Sequence, residues 1–263
     1  MCLDCACGLP DGPVHEHNHD IHDHGIEPIG DAEPAKVLRH LALGEQLLSH
    51  NAGHAAANRA RFEAAGVRVV NLLSSPGSGK TALLERLARD GGSRLAMAVV
   101  VGDLATDNDA RRLRAAGLPA VQITTGQACH LEATMVQRGL HELAHAGIAL
   151  ADLDLLLIEN VGNLVCPAAY DLGESLRVVL LSVTEGEDKP LKYPATFHSA
   201  DLVLIGKIDL SEATGFDREM ARRNVERVAP NARILEVSAR SGAGMEELLA
   251  ALHPHAAPAP ALR

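Results

Sequence analysis

Eight residues, Ser74-Ser75-Pro76-Gly77-Ser78-Gly79-Lys80-Thr81, constrain this chain more than any other stretch. They follow an apolar run, Val67–Leu73, and precede an amphipathic one, Ala82–Arg89. A Gly/Ser loop between a strand and a helix lets consecutive backbone N–H groups close around phosphate oxygens, with the positive end of the helix behind them. Gly77, Ser78 and Gly79 would form that cradle. Lys80 would reach the β- and γ-phosphates, and the Thr81 hydroxyl would bind Mg²⁺. Ser74 stands where the generic pattern has its first glycine. The motif predicts a site for a nucleoside triphosphate, with Lys80 as a catalytic group.

The rest of the body repeats the same alternation. Apolar runs at Val67–Leu73, Leu95–Val101, Ala120–Thr124, Leu153–Glu159, Leu176–Val183, Leu202–Ile205 and Ile234–Val237 read as strands. Helical spacing falls between them at Ala82–Arg89, Asp109–Ala116, Ala128–Ala146 and Asp217–Val228, and ahead of them at Val37–Leu48 and Ala55–Ala64. Continuous Val/Leu/Ile strands alternating with helices predict an α/β fold, a mostly parallel sheet covered on both faces. The chain divides into a Cys/His-rich arm (1–33), a P-loop domain with N-terminal helices (34–252) and a frayed tail (253–263). The arm has too few apolar residues to offset its ordering entropy, which predicts disorder. No apolar run approaches the roughly 20 residues of a membrane helix, and no secretory signal is visible, so a soluble, cytoplasmic protein is expected.

Two further positions bear on the phosphates. Glu159 ends a buried strand where a Walker B acid would support Mg²⁺, although Asp is the commoner residue there. Asp103, after the second strand, is either a turn cap or a group near the metal or the attacking water. Base choice follows from Gly206-Lys207-Ile208-Asp209. In a guanine-reading N-K-x-D sequence the Asp carboxylate accepts from N1–H and N2–H₂, a pair of donors that adenine lacks. Lys207 and Asp209 are present, whereas Gly206 stands in the Asn position and would weaken base contacts. Ser238-Ala239 resembles the short loop that closes over the base. Together these favour GTP over ATP.

A second chemistry lies in the thiols and imidazoles. Cys2, Cys5 and Cys7 form C-x-x-C-x-C at the N-terminus, a soft donor set suited to Ni²⁺, Zn²⁺ or Cu⁺. His15, His17, His19, His22 and His24 follow, a loose and reversible array for divalent ions or else a solvated polar linker. Cys129-His130 and Cys166 lie inside the body, as small core residues or as a shared metal site. The net charge of −10 belongs to the arm: residues 1–35 hold eight acids and no Lys or Arg. The remaining 24 basic and 26 acidic residues nearly balance, which argues against a nucleic-acid partner.

Beyond these residues, NRARF (58–62), SSPGSGKT (74–81), GQACHLEA (126–133), IENVGNLVCPA (158–168) and SVTEGEDKPLKYP (182–194) resemble the HypB family of hydrogenase nickel-incorporation GTPases. The resemblance covers nearly all of residues 55–245. It implies a SIMIBI-type GTPase that binds GTP and GDP, hydrolyses GTP slowly, dimerises when GTP-bound and delivers Ni²⁺ to [NiFe]-hydrogenase. Implied partners are a HypA-type maturation protein, a SlyD-type metallochaperone and the hydrogenase large-subunit precursor, with no membrane. Carried over by residue, high-affinity nickel falls on Cys2, Cys5 and Cys7. The GTPase-domain Ni²⁺/Zn²⁺ site falls on Cys129, His130 and Cys166. A nickel store with a docking GTPase module, and a urease-accessory GTPase, are the competing readings. Lys189 and Lys192 would either reach phosphate across a dimer or remain solvated.

Overall fold

The computed structural model describes residues 34–253, with side chains from Glu45 onward. The expectations for Cys2, Cys5, Cys7 and His15, His17, His19, His22 and His24, and for the tail beyond His253, lie outside the described residues. Seven strands, β1 (Arg68–Ser74), β2 (Met97–Asp103), β3 (Ala120–Thr124), β4 (Leu155–Glu159), β5 (Leu176–Ser182), β6 (Leu202–Gly206) and β7 (Arg233–Val237), form one sheet in the order β3-β2-β4-β1-β5-β6-β7. Every pairing is parallel, and β1 is central, with Val70 opposite Leu157 on one side and Leu176 on the other. The longer helices are α1 (Pro34–Ala65), α2 (Lys80–Gly91), α3 (Asn108–Ala115) and α4 (Ala133–His145). After β5 come the short α5 (Lys189–Lys192) and α6 (Pro194–His198), then α7 (Ser211–Thr214), α8 (Arg218–Val228) and α9 (Met245–Leu252).

Alternation along each strand distributes the core. Val70 and Leu72 of β1 pack with Leu83, Leu84 and Leu87 of α2 and with Leu248 and Leu252 of α9. Val69 faces the other way, into a cluster with Phe62 of α1 and Val136, Leu140 and Leu143 of α4. Farther along that second face, Phe197 of α6 and Ala221 and Val225 of α8 cover Val179, Leu181, Val203 and Ile205. Parallel strands buried on both faces read as unbroken apolar runs, which is why all seven were predicted within two residues of their ends. Among the described residues, no helix is long and apolar enough to cross a membrane.

Three expectations change. The two predicted N-terminal helices are one continuous α1. Gly53, in the interval between them, costs about 1 kcal/mol in a helix interior and does not break it. The buried Asn51 beside it is held from both ends: its Nδ2 donates to the Asp171 carbonyl (2.7 Å) and its Oδ1 accepts from Ala133 N–H (2.8 Å). The helix predicted from Ala128 starts at Ala133, so Cys129-His130 precede it. Side-chain acceptors cause the delay, because Asn160 Oδ1 takes Leu131 N–H (3.1 Å) and Asn51 takes that of Ala133. Helix α9, whose Leu248, Leu249 and Leu252 close the first face, was not anticipated from the sequence.

Candidate nucleotide and metal site

The loop after β1 has the form that phosphate binding requires. Gly77 (φ 72°) and Gly79 (φ 104°) are left-handed, a conformation that turns successive N–H groups inward at no steric cost to glycine. Lys80 is buried, and its Nζ donates to Ser74 Oγ at 2.9 Å; Ser78 Oγ donates to the same oxygen at 2.6 Å. The serine in place of the first glycine is therefore a polar anchor for the lysine. Burial pushes the Lys80 ammonium down in pKa, against an upward pull from Glu159.

Glu159, at the C-terminal end of β4, accepts from Thr81 Oγ1 at 2.9 Å. The structure thus brings together the two residues expected at Mg²⁺. Burial raises the Glu159 carboxyl to about 7, with Lys80 and Thr81 pulling it down. Its Oε2 is buried without a hydrogen-bond partner, the kind of orphaned oxygen that a cation satisfies. Asp103 lies on the same cavity, of about 470 Å³, with Asp109 and Arg112 of α3. Its Oδ1 accepts from the N–H groups of Ala105 (3.0 Å) and Thr106 (2.9 Å). Burial pushes its pKa up, but those bonds outweigh burial and leave it lowered. Asp103 thus caps a turn through Oδ1 and also lines the phosphate cavity. Sequence reasoning missed Asp109 and Arg112, which only the packing of α3 beside α2 brings there.

Next to the phosphate loop, Ser78, Gly79, Leu180, Lys207, Asp209 and Ala239 line a cavity of about 200 Å³. Lys207 is left-handed (φ 58°) and stretches across the loop to donate to the Gly77 carbonyl at 2.8 Å. Asp209 Oδ1 accepts from the buried Ser238 Oγ at 2.6 Å, and the Ala239 carbonyl accepts from Arg86. Three of the four residues expected at the base, Lys207, Asp209 and Ala239, thus line one cavity, and the fourth, Ser238, is buried behind Asp209. Gly206 has a steric reason: a Cβ there would lie 2.7 Å from Leu180 Cδ1. Lys189 and Lys192 are paired with acids of the turn that precedes their helix, Glu185 (3.4 Å) and Asp188 (2.6 Å).

The structure also unites three residues whose meeting the sequence left open. One ligand atom each from Cys129, His130 and Cys166 lies within 4.8 Å of the others, and all three residues are half-buried. Cys129 Sγ is 3.8 Å from His130 Nδ1. The hydrogen bond with the Cys166 thiol, and then burial, raise the Cys129 thiol, while burial lowers the His130 imidazole and keeps it neutral. Two thiols and a neutral imidazole are a donor set for Ni²⁺ or Zn²⁺. Tyr170 lies against His130, with ring centroids 3.8 Å apart and planes inclined at 31°.

One loop touches both centres. It leaves β4 at Glu159 and reaches Cys166 seven positions later. Asn160, buried, donates to Asn71 Oδ1 in β1 (3.2 Å) and accepts from Leu131, next to His130. Gly162 packs on Pro76 of the phosphate loop, where a Cβ would lie 3.0 Å from Pro76 Cα. Asn163 pairs with Ser74 through an isolated β-bridge, and its Nδ2 donates to the Cys129 carbonyl at 3.4 Å. Both asparagines lie in the motif IENVGNLVCPA, which by itself gave neither a role.

Comparison with known proteins agrees with this arrangement. Residues 68–236 match the family described as CobW/HypB/UreG, nucleotide-binding domain. The hydrogenase maturation factor HypB of Azotobacter vinelandii is 55% identical over 214 residues, spanning 81% of this chain and 68% of that protein. The HypB of Escherichia coli K12 is 44% identical over 238 residues, spanning 90% and 80%. Among solved structures, HypB from Helicobacter pylori in complex with nickel superposes with a TM-score of 0.72 at 45% identity, covering 76% of this chain and 92% of that one. HypB from Archaeoglobus fulgidus gives 0.69 at 41%, covering 76% and 96%. The parallel sheet with its phosphate loop after the central strand is the P-loop fold of SIMIBI-type GTPases. The chain belongs to the CobW/HypB/UreG family and, within it, to the HypB hydrogenase maturation factors.

Proposed function

We propose that this chain is a GTP-hydrolysing nickel chaperone that loads Ni²⁺ into the large subunit of [NiFe]-hydrogenase, with its nucleotide state controlling how tightly the ion is held. The observation that carries this reading is the loop from Glu159 to Cys166. It contacts the phosphate loop through Gly162 and Asn163, and it carries or steadies all three donors of the metal cluster. The nickel complex of the Helicobacter pylori relative supports Ni²⁺ as the cargo. Zn²⁺ fits the same donor set.

The glycine cradle binds the β- and γ-phosphates, and Lys80 turns from Ser74 to the γ-phosphate when GTP enters. Thr81 and Glu159 would hold Mg²⁺, which neutralises charge developing on the phosphate oxygens. Asp209, oriented by Ser238, accepts from the guanine N1–H and N2–H₂. Hydrolysis is slow because the described lining of the phosphate cavity has no glutamine to orient water, and its arginine, Arg112, is occupied by Glu85 at 2.9 Å. A slow step suits a timer. GTP holds the Gly162–Asn163 segment against the phosphate loop and keeps the donors closed on the ion; hydrolysis relaxes that segment and releases it. Such control needs different metal affinities in the two nucleotide states.

Around this core we place the remaining expectations. Cys2, Cys5 and Cys7 supply a tight nickel site, and the histidines of the arm a loose one. The GTP form is a homodimer in the cytoplasm, and the partners are a HypA-type protein, a SlyD-type metallochaperone and the hydrogenase precursor. The decisive variant is Lys80→Ala. Losing a charge-assisted contact worth about 1.5–3 kcal/mol lowers GTP affinity about 10–100-fold. Cells carrying it under scarce nickel lose hydrogenase activity; full activity in those cells would refute the proposal.

A further inference from the structure

A second cluster of metal-ligating side chains lies on α1. His50 and His54 are one helical turn apart, their ring centroids are 4.7 Å apart, and the planes are inclined at 72°. Neither ring makes a hydrogen bond or ion pair with the described residues, and His50 is exposed while His54 is half-buried. At about 100° per residue, both fall on the same side of Asn51, roughly 60–100° from it around the helix. Asn51 is pinned to Ala133 and Asp171, and the same helix is fixed again at Asn58, whose Nδ2 donates to the Ala133 and Leu172 carbonyls at 3.0 Å each. The backbone under the two histidines is therefore rigid, so little ordering entropy opposes their joint use as ligands.

We propose that His50 and His54 form a bidentate site for a divalent transition-metal ion of the Ni²⁺/Zn²⁺/Cu²⁺ class, completed by water. Each imidazole nitrogen sits about 2.1 Å from such an ion, so the two donors must come within about 4 Å of each other. Rings already in edge contact reach that span by rotation of their side chains. The exposed position leaves room for water in the remaining coordination sites, which makes the site an exchangeable one. Its location is informative. Ala133, to which Asn51 is bonded, lies three positions after His130, and Asp171 follows Tyr170, which lies against His130. The pair thus stands on the helix that braces the chain on either side of the thiol–imidazole cluster, at Ala133 and Asp171.

The test uses the full-length protein without nucleotide, so its outcome does not depend on GTP-controlled release. Histidines are modified with diethyl pyrocarbonate in the presence and absence of saturating Ni²⁺, and each position is quantified by mass spectrometry. Ni²⁺ is expected to slow modification of both His50 and His54 about tenfold. In the His50→Ala variant the protection at His54 is expected to disappear, because one imidazole holds the ion far less tightly than a chelating pair. Equal rates with and without Ni²⁺ would overturn the proposal. So would protection at His54 that persists in His50→Ala, since it would come from elsewhere in the chain.

Discussion

Glu159 shows how much chemistry a single buried carboxyl carries. With its carboxyl raised to about 7 against an ordinary 4.5, the native chain keeps a proton that the unfolded chain has lost. The native state binds more protons between those limits, so stability contributed by this group is complete below pH 4.5 and falls as pH rises to about 7. We expect urea unfolding at pH 5 and pH 8 to show this loss in the nucleotide-free protein, on the order of 3 kcal/mol. Glu159→Gln should remove that share of the pH dependence; an unchanged profile would mean that the carboxyl titrates normally. Gly206 gives a second test. Restoring the asparagine of the guanine motif drives a Cβ against Leu180, so Gly206→Asn alone should cost about 1–3 kcal/mol in denaturant unfolding. In a double-mutant cycle, Gly206→Asn should cost less in a Leu180→Ala background than in the wild type, a coupling that independent sites would not show.

At the level of elements, α1 acts as a clamp rather than as a cover. Asn58 is buried and donates to two carbonyls, Ala133 at the start of α4 and Leu172 in the turn after Tyr170. Gly173 in that turn is left-handed (φ 88°) and approaches the helix backbone so closely that a Cβ would lie 2.6 Å from the Ala55 carbonyl oxygen. Asn58→Ala strands both carbonyls and should destabilise the protein by about 2 kcal/mol, read from the urea midpoint, with secondary structure retained. The sequence made the strands and the phosphate loop legible because their signals are local: apolar runs, and glycines that must turn. It identified Cys129, His130 and Cys166 as chemistry without showing that they meet, since 37 positions separate the two thiols. Asn51, Asn58, Asn160 and Asn163 carried no assignable role for a related reason, although three of them fall in the quoted motifs. An asparagine that closes a long-range hydrogen bond looks in sequence like one at a solvated turn. The late start of α4 and the unbroken α1 both follow from those same side chains.

Across the whole molecule, two binding centres share one short segment, and under the proposed function a change at one is felt at the other. The phosphate cavity ends at Gly162, the thiol cluster begins at Asn163, and Asn160 ties the segment to β1 beneath both. Coupling through so few contacts is testable by removing one: Asn163→Ala should leave nucleotide affinity near that of the wild type while reducing the difference between nucleotide states at the metal. The most direct measurement is the Ni²⁺ affinity of the full-length protein with Cys2, Cys5 and Cys7 replaced by Ala, so that the internal cluster dominates tight binding. It is measured once with GDP and once with a non-hydrolysable GTP analogue. The analogue is expected to tighten binding about tenfold, a coupling of about 1.4 kcal/mol that Asn163→Ala diminishes. Identical affinities in the two nucleotide states would contradict it.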